Sequence, residues 1–170
     1  MLSKRMEKAL NGQLNKELFS SYLYLSMAAY FEDMNLTGMA KWMRLQADEE
    51  HEHSMKFYDF IIKISGRVVL EQIDKPKSSW DSPKAAFEDA LAHEQFITKS
   101  INELTDLAIE EKDHSTSTFL HWFIDEQVEE EANAGDIVRK FDLIGDSKSG
   151  LYMLDRELGT RTNAPAEEQA

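Results

Sequence analysis

The sequence contains no cysteine, and it has only three prolines and seven glycines in 170 residues. Without cysteine the chain cannot form disulfides, iron–sulfur clusters or zinc sites with thiolate ligands, although the redox compartment stays open. The scarcity of proline and glycine favours long helices. No segment is apolar for long enough to cross a bilayer, and no signal-type apolar stretch follows Met1. We therefore expect a cytoplasmic protein with no membrane partner.

Basic residues are also in short supply, since 19 Lys and Arg face 32 Asp and Glu. The resulting net charge of −13 argues against nucleic acid as a partner and suits a protein that attracts cations. Hydrophobic residues make up 42% of the chain, with nine Phe and three Trp among them. This content is enough to fill the core of one domain, and we expect residues 1–170 to form a single domain.

Apolar residues recur at helical spacing in five segments, at about 3–33, 37–64, 82–111, 114–144 and 148–158. Thr37 is a candidate N-cap for the second helix, and Ser82 with Pro83 has the pattern of a helix start. Residues 65–81 lack helical periodicity, and extended they could span about 50 Å, more than the roughly 42 Å length of a 28-residue helix. The sequence therefore predicts an all-α four-helix bundle with a long crossover between helices two and three and a short fifth helix. Residues 160–170 have the composition of a disordered tail.

Polar residues interrupt the apolar stripe of each long helix. In the second helix the stripe includes Gln46, Glu50 and His53, and Glu50-x-x-His53 can reach one metal ion because residues three apart share a helix face. A buried carboxylate is normally paired, protonated or bound to metal. A misread helix register or an arginine partner would be the non-metal explanations. The other stripes contain Glu17, Glu94, Gln127 and Glu130.

The spacing of these residues indicates an internal repeat of two helical hairpins. Glu17 and Glu50 are 33 residues apart, as are Glu94 and Gln127, and the two halves are offset by 77 residues. The midpoint of each pair falls at the turn of its hairpin, so all six residues should meet at mid-bundle. Four carboxylates there would repel each other strongly unless cations were present, and two divalent metal ions would neutralise them.

At these residues the sequence resembles the ferritin family, and most closely the non-haem bacterial and archaeal ferritins. The similarity extends over nearly the whole chain. The segments that carry it are Glu17, Ser21-Tyr22-Leu23-Tyr24-Leu25-Ser26-Met27-Ala28, Glu49-Glu50-His51-Glu52-His53, Trp80-Asp81-Ser82-Pro83, His93-Glu94 and Glu126-Gln127-Val128-Glu129-Glu130.

The resemblance implies a ferroxidase that oxidises Fe(II) with O2 or H2O2 and stores ferric mineral inside a homo-oligomeric hollow shell of about 24 subunits. It implies two irons per subunit. One would be held by Glu17, Glu50 and His53, and the second by Glu50, Glu94 and Glu130, with Gln127 beside them. A possible third, outer iron would be held by Glu49, Glu126 and Glu129.

Two related protein families, the haem-containing bacterioferritins and the rubrerythrin-like peroxidases, match this sequence less well. Bacterioferritins carry a second Glu-x-x-His, where this chain has Gln127 and Glu130, and a haem-ligating Met, where it has His51. We therefore expect no haem. Rubrerythrin-like peroxidases usually add a cysteine-bound iron, which this chain cannot form. A structural bundle with hydrogen-bonded carboxylates and a haem electron-transfer bundle remain as alternative functions.

We call Glu17, Glu50, His53, Glu94, Gln127 and Glu130 the seam residues. Aromatic residues near the seam have two interpretations each. Tyr24 could hydrogen-bond a ligand carboxylate and donate an electron, or be an ordinary buried tyrosine. Trp122 could donate an electron, or only fill core or interface space. His51, His93, His114 and His121 are interpreted as surface histidines.

Overall fold

The computed structural model describes residues 2–162, and within that range it contains five helices and no strand. The helices are α1 (Lys4–Asp33), α2 (Thr37–Lys63), α3 (Pro83–Glu110), α4 (His114–Ile144) and α5 (Lys148–Leu158). Each bound lies within one residue of the sequence prediction, and the predicted all-α class is confirmed. None of the helices in this described range is both long enough and apolar enough to span a membrane.

Four of the five helices begin at a side-chain cap. Ser3, Ser82, Asp113 and Ser147 each accept a hydrogen bond from a backbone N–H in the first turn that follows. The predicted cap at Thr37 is wrong, because Thr37 is the first residue of α2 and its N-cap, Leu36, makes no side-chain cap. Asp155 of α5 supplies the missing acceptor, with its Oδ1 2.9 Å from the Met39 backbone N.

Gly38 of α2 lies against the backbone of α5 at Asp155. A Cβ added at Gly38 would lie 1.7 Å from the backbone oxygen of Asp155, and backbone cannot move aside as a flexible side chain can. We expect Gly38→Ala to displace α5, break the Asp155 cap and destabilise the protein by about 1–3 kcal/mol. Thermal melts of this variant and of Gly12→Ala, where an added Cβ meets nothing within 4 Å, provide the comparison. Equal melting temperatures for the two variants would contradict the expectation.

The two hairpin turns share one backbone geometry. Asn35 and Lys112 both adopt left-handed conformations, with φ of 59° and 56°, and they are 77 residues apart. In each turn the next residue donates its N–H to a carbonyl five positions earlier, from Leu36 to Phe31 (2.9 Å) and from Asp113 to Ala108 (2.8 Å). The repeat that the polar residues indicate therefore extends to the turns.

The crossover between α2 and α3 runs along the length of α1. Near one end of α1, Asn11 accepts from the Val69 N–H and donates to the Arg67 carbonyl. Near the other end, Tyr30 donates its hydroxyl proton to the Trp80 carbonyl, 3.1 Å away. The crossover thus carries the chain from one end of the bundle to the other, which makes α2 and α3 parallel and leaves α1 antiparallel to both α2 and α3.

Apolar side chains form two separate clusters along the bundle. One lies towards the α1–α2 turn and α5 and includes Phe31, Met43, Phe87 and Phe141. The other lies towards the opposite end; the large side chains in it include Leu10, Phe57, Ile61, Ile101, Leu120 and Phe123. The six polar seam residues lie in the layer between the clusters, so the fold holds them at mid-bundle from both sides.

The described residues include the start of the predicted disordered tail. The N–H groups of Thr160 and Arg161 donate to the carbonyls of Glu157 and Leu158, at 3.0 and 3.2 Å. The prediction of disorder is therefore wrong for these two residues, which are hydrogen-bonded to the last turn of α5. Residues 163–170 lie outside the described residues.

Candidate metal centre

The six seam residues are brought together and buried. Their exposed fractions are between 1% and 4% for Glu17, Glu50, His53, Glu94, Gln127 and Glu130. Each lies on the inward stripe of its helix, and apolar residues further along that stripe in both directions pack into the two clusters. Packing of the flanking residues, rather than any affinity among the acids, therefore draws these groups into the interior.

Ligand atoms converge in three groups, within each of which they lie within 4.8 Å of one another. The groups are Glu17–Glu50–His53, Glu50–Glu94–Glu130 and His53–Glu126–Glu130. Glu50 belongs to the first two, so its two carboxylate oxygens can serve two neighbouring ions. The donors are carboxylate oxygens and imidazole nitrogen, a set that suits hard to borderline divalent cations such as Fe(II), Mn(II) and Zn(II).

The carboxyl groups of the centre are poised between repulsion and protonation. Burial, followed by the charge of Glu50, raises the pKa of Glu17 and of Glu94 to about 8 from the usual 4.5. Burial and the charge of Glu94 raise the pKa of Glu130 to about 8. Burial, with the charge of Glu130, also raises the pKa of Glu50 well above its usual value. Divalent cations would relieve both the desolvation and the repulsion.

One oxygen in the centre has no hydrogen-bond partner among the described residues. Glu17 Oε2 is buried and unpaired, whereas Glu17 Oε1 accepts from Gln13 Nε2 at 2.7 Å. A buried carboxylate oxygen without a donor is costly. This orphan oxygen points to a missing positive partner, and it lies in the group that Glu50 and His53 complete.

Two glutamines that the sequence analysis left out of the site hold its carboxylates. Gln13 donates to Glu17, and Gln46 Nε2 donates to Glu130 Oε2 at 2.7 Å and more weakly to Glu50 Oε1 at 3.4 Å. Each glutamine stands four positions before a seam acid, which places it one turn away on the same face. A glutamine four residues before a buried acid is thus the signal that could have identified them.

Tyr24 and Gln127 both contact Glu94. The buried Tyr24 hydroxyl donates to Glu94 Oε1, and Gln127 Nε2 is 3.2 Å from Glu94 Oε2. Burial, with the charge of Glu94 next, raises the pKa of the Tyr24 hydroxyl. The hydrogen bond predicted for Tyr24 is therefore present, and Gln127 acts as a donor in the position where the first hairpin has the carboxylate of Glu50.

Residues predicted for an outer site are less closely grouped. Glu126 is half-buried, with Oε1 3.9 Å from His53 Nε2, and Glu129 is exposed. Glu49 pairs with Arg161, whose Nη2 lies 2.5 Å from Glu49 Oε2. Among residues 2–162, Glu126 is the one member of this predicted trio that joins a group of ligand atoms within 4.8 Å.

The aromatic and histidine predictions have mixed outcomes. Trp122 packs edge-on against His53, with ring centroids 5.3 Å apart. His51, His114 and His121 are exposed as predicted. The surface assignment of His93 is wrong, because its Nε2 lies 2.7 Å from Ser20 Oγ and its ring contacts Phe19, Tyr24 and Phe96. Burial lowers the pKa of His93 to about 4.

Comparison with known proteins agrees with this architecture. Residues 7–144 match the family model described as a ferritin-like domain. The chain is 41% identical to a non-haem ferritin of Bacteroides fragilis, covering 95% of this chain and all of that protein. It is 39% identical to a non-haem ferritin of Staphylococcus aureus, covering 95% and 98%.

Among solved structures, an open-pore ferritin from the hyperthermophilic archaeon Archaeoglobus fulgidus superposes with a TM-score of 0.94 at 51% identity, covering 95% of this chain and 100% of that one. The family model spans most of the chain, and both relatives align over nearly their full length. The four-helix bundle with its short fifth helix is therefore the fold of a known family. The chain belongs to the ferritin family.

Proposed function

We propose that the protein is a ferroxidase that oxidises Fe(II) at the mid-bundle centre and stores the ferric product inside a homo-oligomeric shell. Two irons per chain are the substrate, and O2 or H2O2 is the oxidant. The shell of about 24 subunits, the cytoplasmic location and the single-domain organisation over residues 1–170 belong to the same proposal. They derive from the family membership and not from the geometry of one chain.

The observation that carries the proposal is that two groups of ligand atoms share Glu50. The first ion would take Glu17, Glu50 and His53, and the second Glu50, Glu94 and Glu130. Four carboxylates balance two divalent ions, which offsets the burial and the repulsion that raise the pKa values of Glu17, Glu94 and Glu130. The unpaired Glu17 Oε2 supplies a free ligand atom for the first ion.

The chemistry requires two electrons delivered together. Two Fe(II) ions and two protons convert O2 to H2O2, or H2O2 to two waters, and each iron loses one electron. Holding both ions on Glu50 makes this transfer effectively intramolecular and limits release of one-electron products. Gln13 and Gln46 orient the ligand carboxylates, and the two apolar clusters limit the access of bulk water.

Tyr24 is the protein group best placed to supply a further electron, since its hydroxyl donates to the Glu94 carboxylate. Electron donation by Tyr24 is therefore part of the proposed mechanism. Trp122 is a second candidate, through its ring contact with His53. Glu49, Glu126 and Glu129 are proposed to hold a third ion on the outer side. No haem is part of the proposal, because the seam has Gln127 and Glu130 in place of a second Glu-x-x-His.

Aerobic iron loading of the purified, metal-free protein tests the proposal. We expect light scattering after size exclusion to give a large shell, and absorbance to show fast Fe(II) oxidation that saturates near two irons per chain. Larger additions should remain soluble and co-elute with the shell. A small monomer with no saturable oxidation would support the structural-bundle alternative. Haem absorption in the visible spectrum would support the electron-transfer alternative.

Glu129→Ala tests the separation of inner and outer ligands. Glu129 is exposed, whereas the inner ligands are buried, so we expect the first two-iron phase to keep its rate. The rate of later turnover should fall by about tenfold, the low end of the 10–100-fold cost of losing a residue that supports a metal site. Stopped-flow absorbance over successive Fe(II) additions measures both phases. Asp106→Ala, at an exposed acid of α3, should leave both phases unchanged. Loss of the first phase in Glu129→Ala would contradict the assignment of Glu129 to the outer ion.

A further inference from the structure

Arg161, which follows α5, extends across α2 beside the metal centre. Its guanidinium carbon lies 4.5 Å from the centre of the Trp42 ring, and Nη2 donates to Glu49 Oε2 at 2.5 Å. The side chain is 18% exposed and that of Glu49 is 27% exposed. An arginine that stacks on an aromatic face and pairs with a carboxylate is held in one orientation.

The same guanidinium also reaches the inner ligands through Gln46. Arg161 Nη1 donates to Gln46 Oε1 at 2.8 Å. Because the amide oxygen is held in this way, the amide nitrogen must face the opposite side, where it donates to Glu130 and Glu50. Arg161 thus sets which end of the Gln46 amide faces the carboxylates.

Glu49 is consequently held by the segment that follows α5, and it is turned away from the other acids of the predicted outer site. Glu49 joins no group of ligand atoms within 4.8 Å in residues 2–162, whereas Glu126 joins one with His53 and Glu130. Arg161 occupies the position of a counter-cation for Glu49.

We propose that Arg161 is a positioning residue that competes with an outer divalent cation for Glu49. While the guanidinium is paired, Glu49 and the amide of Gln46 are fixed, and the inner centre keeps its geometry. A cation that binds Glu49, Glu126 and Glu129 must displace the guanidinium from Glu49. This inference rests on the proposed function, because it assumes both the inner metal centre and the outer ion proposed for Glu49, Glu126 and Glu129.

Titration calorimetry with Zn²⁺, which is not oxidised, tests the competition without reference to activity. We expect wild type to bind two Zn²⁺ per chain tightly and a third weakly. In Arg161→Ala the third ion should bind about tenfold more tightly, because a charge-assisted hydrogen bond to Glu49 no longer has to be broken. Arg161→Lys should give an intermediate affinity, since a lysine ammonium keeps the positive charge but lacks the planar, paired N–H donors of a guanidinium.

Two controls isolate the contact. Arg156→Ala removes the same charge from an exposed position on α5, and it should leave the third-site affinity at the wild-type value. Arg161→Ala/Glu49→Gln should lose the gain, because the carboxylate for which metal and arginine compete is gone. Circular dichroism of each variant before titration establishes that it is folded.

The outcomes separate the two proposals. A wild type that binds no Zn²⁺ with the stoichiometry of the inner centre would overturn the proposed function and this inference with it. A wild type with two tight ions, together with an unchanged or weaker third site in Arg161→Ala, would overturn the role of Arg161 alone. An equal gain in third-site affinity in Arg156→Ala would also overturn it, since the gain would then come from the loss of one positive charge and not from the loss of the Glu49 contact.

Discussion

Glu50→Ala is expected to abolish the fast phase of Fe(II) oxidation and to leave the bundle folded. Glu50 is common to both inner groups of ligand atoms, so its loss disables both metal positions at once. Since loss of even a supporting residue around a metal typically costs 10–100-fold, we expect at least about a hundredfold fall in the initial rate. Stopped-flow absorbance at two Fe(II) per chain measures it.

The folded state should survive because Glu50 is a buried acid among like charges. Its removal leaves a small cavity but also removes the charge that, in addition to burial, raises the pKa values of Glu17 and Glu94. Glu52→Ala, two residues away at an exposed position of α2, is the matched control and should oxidise iron at the wild-type rate. An initial rate in Glu50→Ala within a few fold of wild type would remove Glu50 from the centre.

Zn²⁺ is expected to raise the melting temperature of the metal-free protein, and the rise should shrink as the pH falls. An ion that binds only the folded state at one hundred times its Kd stabilises it by about 2.7 kcal/mol per site. For a domain of this size that corresponds to about 5–10 °C. Protons compete with the metal for the same carboxylates, so binding and the linked stabilisation weaken in acid.

The pH dependence of the metal-free protein has a defined sign. The folded-state pKa of Glu17, Glu94 and Glu130 is about 8, above the usual 4.5. The stability that these groups contribute is full below pH 4.5 and is lost as the pH rises through 8. His93 acts at lower pH, because its pKa falls from 6.5 to about 4, and its contribution is lost as the pH falls from 6.5 through 4.

Melts between pH 6.5 and 8.5 therefore isolate the carboxyl groups. We expect the melting temperature to fall with rising pH in the absence of metal and to fall less, or not at all, with Zn²⁺ present. Glu17→Ala/Glu94→Ala, which removes one ligand from each hairpin, should lose most of the Zn²⁺ effect. If this double variant keeps the full rise in melting temperature, the metal binds elsewhere on a chain of net charge −13.

Local sequence pattern predicts the helices of this protein well, because each helix carries its own caps and apolar stripe. Ser82 before Pro83 and Asp113 before α4 both act within three residues. The cap of α2 could not be predicted in this way. Its acceptor, Asp155, is more than one hundred residues away, and it becomes a neighbour only after α5 docks at Gly38.

The sequence predicts which residues of the candidate centre meet, but not the residues that surround them. The carboxylates and His53 lie on regular helices, so equal spacing within two hairpins determines that they meet. Arg161 lies beyond the last helix, where no periodicity constrains it, and its pairing with Glu49 depends on the path of the chain after α5. His93 likewise reads as a surface residue on α3 until Phe19 and Ser20 of α1 cover it.

The long crossover also has a consequence for the kinetics of folding. Each hairpin closes across a short turn and can form rapidly, whereas α1 and α3 meet only after the crossover has closed a long loop. The carboxylates lie on both hairpins, with Glu17 and Glu50 on one and Glu94 and Glu130 on the other. Their mutual repulsion is therefore a barrier to the docking of preformed hairpins, which bound cations or protons would lower. Refolding of this chain should accordingly be faster with divalent metal present, with the gain confined to the slow docking step.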